Sequence, residues 1–242
     1  MLINILPQFI SKRIWNMMQR KQWQSLARNM EDSKNLCVGS FADHENYPYE
    51  KYLLAHYQGQ RENAFDFGCG IGRMIKRMLS EFRVVDGGEL LTENLDYAKQ
   101  YLRDCNSNSY NLHKLDGLGC DIRKSDCYDL IYSTICVHHI APFSIRDKIF
   151  HDFYQLLKVG GAISIQVVYG IDTGNHWFND PYAEATSNRV IDVSIPSTDH
   201  FPEIEKWLHQ IGFKNVKFDI APCPHPNADP NLKWLFIFAE KR

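Results

Sequence analysis

The sequence predicts an α/β fold, a mostly parallel sheet with helices on both faces and an antiparallel strand at its C-terminal end. Three observations carry that expectation. From residue 63 to 169 short apolar runs alternate with amphipathic stretches, the pattern of βα units. A glycine-rich turn stands between the first run and the helix after it, and the chain closes on two strand-like segments rather than on a helix.

In order along the chain, residues 1–60 read as a helical preamble or cap, with Ile10, Ile14, Met18, Leu26 and Met30 at roughly four-residue spacing and a second helix near 49–57. Residues 61–242 read as one domain. Its strands are expected at 64–67, 83–88, 111–115, 128–133 and 162–169, with helices between them that bury Met74, Ile75 and Met78, then Leu91, Leu95 and Ala98, then Ile145, Ile149 and Phe153. Lys158, Val159, Gly160 and Gly161 read as a stop and turn before the fifth strand. Residues 170–200 lose all periodicity, too long for a routine connection, and read as a lid-like insertion. A helix through Ile204, Trp207, Leu208 and Ile211 and strands at 216–220 and 234–239 complete the chain.

At 242 residues, 44% hydrophobic and 23% charged, the chain has enough apolar surface for one sizeable core, which excludes disordered and collagen-like classes. The net charge of −2 lacks the basic footprint of a dedicated nucleic-acid binder. The charge is unevenly spread, however: Lys12, Arg13, Arg20, Lys21 and Arg28 fall in residues 1–30 with no acid among them. Seven cysteines without a CxxC pair fit neither a disulfide framework nor a zinc knuckle, so a reducing cytoplasm and no structural metal are expected. No apolar run approaches the roughly 20 residues of a membrane span.

The most informative segment is DFGCGIGR at 66–73. Glycines between a strand and a helix let the backbone approach a ligand that Cβ atoms would obstruct. The spacing is GxGxG rather than the GxGxxG of dinucleotide sites, and Asp66 just before it would repel a pyrophosphate. An acid there suits a ligand with a cationic ammonium. Glu89, ending the second strand, can accept from both hydroxyls of a ribose, with Asp86 as its competitor for that role. Asp116 and Gly117, after the third strand, suit an adenine. Ammonium, ribose and adenine together describe S-adenosylmethionine.

On these residues the chain resembles the class I S-adenosylmethionine-dependent methyltransferases, with a weaker likeness to bacterial saccharide and small-molecule enzymes. The resemblance runs from about residue 62 to 169, through AFDFGCGIGRM, Glu89, Asp116, CYDLIYSTICVHHI (127–140) and LLKVGGAISIQV (156–167). It implies a Rossmann-like sheet of seven strands. It also implies a cofactor site formed by Asp66, Gly68, Gly70, Gly72, Arg73, Glu89, Leu90, Asp116, Gly117, Ser133 and Thr134. The expected reaction is methyl transfer, first to a hydroxyl of a small molecule, with RNA or protein as the alternative acceptor and a catalytically silent binding subunit as the other class. His138 and His139, just past the fourth strand, are the candidate bases. Asp172, His176 and Asp180 are rival bases, Cys136 reads as an inert thiol, and His176, Trp177, Phe178 and Tyr182 form an aromatic cluster suited to the acceptor.

Overall fold

The computed structural model describes residues 8–38, 46–122, 125–180, 192–224 and 228–242. Its N-terminal part is helical: α1 (Gln8–Leu26), α2 (Met30–Val38) and α3 (Tyr49–Leu53). Alternation follows, with β1 (Asn63–Phe67), α4 (Arg73–Met78), β2 (Val84–Glu89), α5 (Thr92–Tyr101), β3 (Leu112–Lys114), β4 (Tyr128–Ser133), α6 (Phe143–Leu156) and β5 (Leu157–Tyr169). The chain ends with β6 (Ser194–Ile195), α7 (Phe201–Ile211), β7 (Phe213–Pro222) and β8 (Lys233–Lys241).

The sheet runs in the order β3-β2-β1-β4-β5-β8-β7. β3 through β5 pair in parallel, and β8 lies antiparallel between β5 and β7. Period-two alternation explains why this sheet holds helices on both faces. Phe65, Phe67, Ile131, Ile163, Ile165, Leu235 and Ile237 project to one side, where Ile145, Ile149 and Phe153 of α6 and Ile204 and Leu208 of α7 cover them. Ala64, Leu130, Tyr132, Ala162, Phe236 and Phe238 project to the other, against Tyr49 and Leu53 of α3 and Met74, Ile75 and Met78 of α4.

Two expectations need correction. The sheet has eight described strands rather than seven, because β6 rises out of the stretch read as structureless. It pairs with Val168 and Tyr169, beyond Ile165 where β4 stops, and so continues the edge that β4 vacates. The residues at 158–161 are not a turn but the start of β5, accommodated by a register shift against β4 between Tyr128 and Leu130. No helix among the described residues is long and apolar enough to cross a membrane, and Cys69, Cys105, Cys120, Cys127, Cys136 and Cys223 are not in disulfides.

Candidate active site

The strand order reverses between β1 and β4, and in an open α/β sheet the crevice beyond the strand ends at such a point is where ligands bind. The glycine turn sits there. Gly68 and Cys69 donate their amides to the Gly88 carbonyl at 2.9 and 3.0 Å, docking the turn onto the end of β2. Gly68 is left-handed at φ +76°, and a Cβ on it would stand 2.1 Å from Cys136 Sγ. At Gly72, φ +83°, a Cβ would meet Leu102 at 2.8 Å, so this third glycine serves helix packing and lies outside the cleft lining.

Glu89 is buried and holds two backbone amides, Oε2 accepting from Gly70 at 3.0 Å and Oε1 from Leu91 at 2.8 Å. It thereby fixes the turn to the start of α5. The Asn94 side chain and the Leu90 amide add to these hydrogen bonds. Burial raises its pKa against these hydrogen bonds. Asp66 is also buried, yet its Oδ2 has no hydrogen-bond partner. Burial pushes its pKa from an ordinary 3.8 up to about 8, Arg73 pulling it down and Glu89 adding to the rise.

One cleft is lined by Asp66, Gly68, Gly70, Arg73, Glu89, Leu90, Gly117, Thr134 and His139, bringing together most of the residues singled out in the sequence. The others lie apart. Ser133 is buried and donates to the Phe67 carbonyl at 2.7 Å. Asp116 borders a shallow groove outside the cleft, where its Oδ1 accepts from the Leu118 amide at 2.7 Å.

The cleft also has a wall that motif reading could not supply. α1 lays Trp15, Asn16, Gln19 and Trp23 along it. The helix is fastened by Asn16 Nδ2, 2.7 Å from the Asp116 carbonyl, and by Arg20, which donates to the same oxygen. Trp15 Nε1, Asn16 Oδ1 and Gln19 Oε1 are buried without partners, as is Asp66 Oδ2. Each such group costs about 1–3 kcal/mol, so four of them around one cleft describe a site shaped for a polar ligand. Ile135 and Cys136 complete the lining. Ile135 has φ +51°, costly for a β-branched residue, and is held there by its amide donating to Gln166 Oε1 at 2.6 Å.

The two histidines separate. His139 lines the cleft, its ring 5.2 Å from that of Trp23, with Nδ1 2.6 Å from Asp192 Oδ1. That contact leaves Nε2 as the nitrogen available to a reacting group. Burial would raise the pKa of Asp192, but the His139 contact outweighs it and the carboxyl sits below its ordinary value. His138 is buried away from the cleft, and burial, with a smaller push from His139, drives its imidazole down to about 3. The possible ligand atoms of His138, His139 and Asp192 fall within 4.8 Å of one another. At 2.6 Å, however, the His139–Asp192 pair is a hydrogen bond, closer than the roughly 3.3 Å between two ligands of one tetrahedral ion.

The remaining candidates are occupied elsewhere. His176 pairs with Asp172 at 3.1 Å on the exposed surface, and Asp180 accepts from the Ser144 amide at 2.8 Å at the start of α6. Trp177 is buried under Arg146, whose guanidinium lies 4.9 Å from its ring and donates to the carbonyls of Ile140, Ala141 and Trp177. Phe178 packs between Phe143 and Trp207. Neither aromatic reaches the cleft; Tyr182 lies outside the described residues.

The chain is similar in sequence and fold to known methyltransferases. Residues 64–161 match the family model of a methyltransferase domain. A tRNA U34 carboxymethyltransferase of Alteromonas mediterranea is 26% identical over 182 residues, covering 72% of this chain and 51% of that protein. An uncharacterized methyltransferase of Bacillus cytotoxicus is 30% identical over 132 residues, covering 51% of this chain and 58% of its own. The chain thus spans just over half the length of these curated relatives. Among solved structures, phosphoethanolamine N-methyltransferase 2 of Haemonchus contortus, in complex with S-adenosylhomocysteine, superposes with a TM-score of 0.66 at 17% identity over 92% of this chain and 60% of that one. An S-adenosylmethionine-dependent methyltransferase structure from Listeria monocytogenes gives 0.55 at 23% identity, over 76% of this chain and 92% of that one.

Proposed function

Residues 64–161 belong to the class I S-adenosylmethionine-dependent methyltransferases, and from that premise we propose that this protein binds S-adenosylmethionine in the α1-walled cleft and methylates a hydroxyl of a small molecule. The observation that carries the reading is the unpartnered, buried Asp66 Oδ2 at the glycine turn. A ligand ammonium would supply the missing partner and favour the ionised carboxylate. The Glu89 carboxylate on the cleft wall suits the ribose hydroxyls, and Gly117 lets an adenine ring approach the backbone. Bound there, the cofactor supplies an electrophilic methyl on its sulfonium. This chain's residues orient the acceptor and keep water out, with α1 as the cap.

For a hydroxyl acceptor, His139 is the base. Asp192 holds Nδ1, fixing the ring and leaving Nε2 to take the proton. His138, kept neutral by burial, is a supporting residue. The acceptor is expected to be small because α1 closes one side of the cleft; a saccharide or secondary metabolite fits this. The tRNA-acting relative and the basic preamble favour RNA as a second reading.

Calorimetry with the methyl donor, followed by a turnover screen over hydroxylated small molecules and bulk tRNA, tests these readings. His139→Ala is expected to lower kcat about a hundredfold while leaving cofactor affinity within about twofold. Unchanged kcat in that variant would remove the base, turnover on tRNA alone would move the acceptor to RNA, and cofactor binding with no turnover would leave a binding subunit.

A further inference from the structure

Of the large apolar side chains exposed among the described residues, Phe9, Met17 and Leu26 belong to α1, and Val159 and Ile220 lie elsewhere. Phe9 is 64% exposed and Met17 50%. They are not scattered: Phe9, Arg13, Met17 and Lys21 recur every fourth residue, all exposed, and share one stripe of the helix about 18 Å long at 1.5 Å per residue. Arg28 follows at an exposed position just beyond the helix. The opposite stripe, Ser11, Trp15 and Gln19, is buried. α1 therefore buries one side against the body, and its outer side carries exposed apolar side chains and cations together.

The other two bases of the segment have local work. Lys12 Nζ donates to the Ser144 carbonyl at 3.3 Å and Arg20 to that of Asp116, so both fasten α1 to the body. Among the described residues no such fastening is made by Arg13, Lys21 or Arg28, and no acid occurs anywhere in residues 1–30. An RNA-binding face needs the cations but gains little from a methionine between them. A protein-binding face has no reason to exclude acids. Cations interleaved with exposed apolar side chains, with no acid on the helix itself and Asp116 alone bordering the groove beside Arg13, Met17 and Lys21, match the headgroup and acyl boundary of an anionic bilayer. We propose that the outer face of α1 seats the protein on an anionic membrane surface, with Arg13, Lys21 and Arg28 at the headgroups and Phe9 and Met17 in the acyl boundary. The helix then joins membrane to cleft, since its inner stripe lines the site.

The test is co-sedimentation of the full chain with vesicles of mixed phosphatidylserine and phosphatidylcholine, against phosphatidylcholine alone. Binding is expected only to the anionic vesicles and is expected to weaken with salt. Arg13→Gln with Lys21→Gln should lower it about 25-fold, at about fivefold per charge, and Phe9→Ser with Met17→Ser about tenfold or more. Cofactor affinity and thermal unfolding should stay unchanged in both variants, which separates loss of docking from loss of fold and from failure of the methyltransferase reading. Absence of vesicle binding, equal binding to both vesicle types, or binding that persists in the Phe9/Met17 variant overturns the proposal. So does tRNA binding without vesicle binding, or a dimer in solution that the Phe9/Met17 variant dissociates.

Discussion

Asp66 and Asp86 occupy neighbouring strands one register step apart, since Phe65 lies beside Asp86 and Asp66 beside Gly87. They are equally withdrawn from solvent, 2% and 3% exposed. Asp86 is fully engaged: Oδ1 accepts from Asn111 N and Nδ2 at 2.9 and 2.7 Å, and Oδ2 from the Tyr128 hydroxyl at 2.9 Å with His113 3.5 Å away. Burial alone would raise its pKa, yet the hydrogen bonds from His113, Asn111 and Tyr128 win and hold it below the ordinary value. Asp66 has one oxygen unanswered and a pKa displaced the other way. Two buried carboxyls of one residue type thus do opposite work: one joins β2 to β3 and β4, the other stands in the cleft with an oxygen left without a partner.

The largest effect that would sharpen this contrast is on binding. Asp66→Asn is expected to weaken S-adenosylmethionine about a hundredfold, the scale of removing a charged partner from a buried contact, while raising the melting temperature of the ligand-free protein. A variant that binds normally, or melts lower, would break the comparison. Asp86→Ala should do the reverse, costing about 3 kcal/mol in denaturant unfolding because it strands Tyr128 and Asn111, with cofactor affinity of the folded fraction retained.

A smaller effect lies in pH. Between about pH 4 and 8 the folded protein keeps a proton on Asp66 that the unfolded chain has released. This carboxyl therefore favours folding most below about pH 4, and its contribution declines as the pH rises to about 8. Unfolding of wild type against Asp66→Asn across that interval should show the variant's advantage growing with pH. Cofactor binding at neutral pH should release a proton, seen as a heat that scales with buffer ionisation enthalpy. The smallest expected change is at the adenine side: Gly117→Ala, at φ +82° with its Cβ 2.4 Å from Asn16 Oδ1, should weaken binding several-fold by displacing α1, and cost about 1 kcal/mol in stability.

The strands that carry long apolar runs, β1, β4 and the body of β5, were legible because burial on both faces leaves no ambiguity about period. β6 was not, since two residues hold no period at all, and the bulged start of β5 reads as a turn until β4 is beside it. Choosing Glu89 over Asp86 rested on spacing. Strand alternation gives a firmer signal, because positions three apart on a strand point to opposite faces and only one face opens on the glycine turn. The wall from α1 was out of reach of motif reading: Trp15, Asn16 and Gln19 match no cofactor pattern, and their polar atoms become conspicuous only when buried without partners. Trp177 and Phe178 pack outside the cleft, and aromatic clustering in sequence does not distinguish a binding loop from the packing of α6 against α7.

Arg146 binds the carbonyls of Ile140 and Ala141 on one side and of Trp177 on the other. The turn bearing His139 and the loop after β5 are therefore welded into a single body through one guanidinium. Such a body cannot drift piecemeal, whereas α1 is pinned by separate side-chain contacts, Asn16 and Arg20 at the Asp116 carbonyl and Lys12 at that of Ser144. The two walls of the cleft are thus built differently, one as a single block and the other as a helix held at a few points.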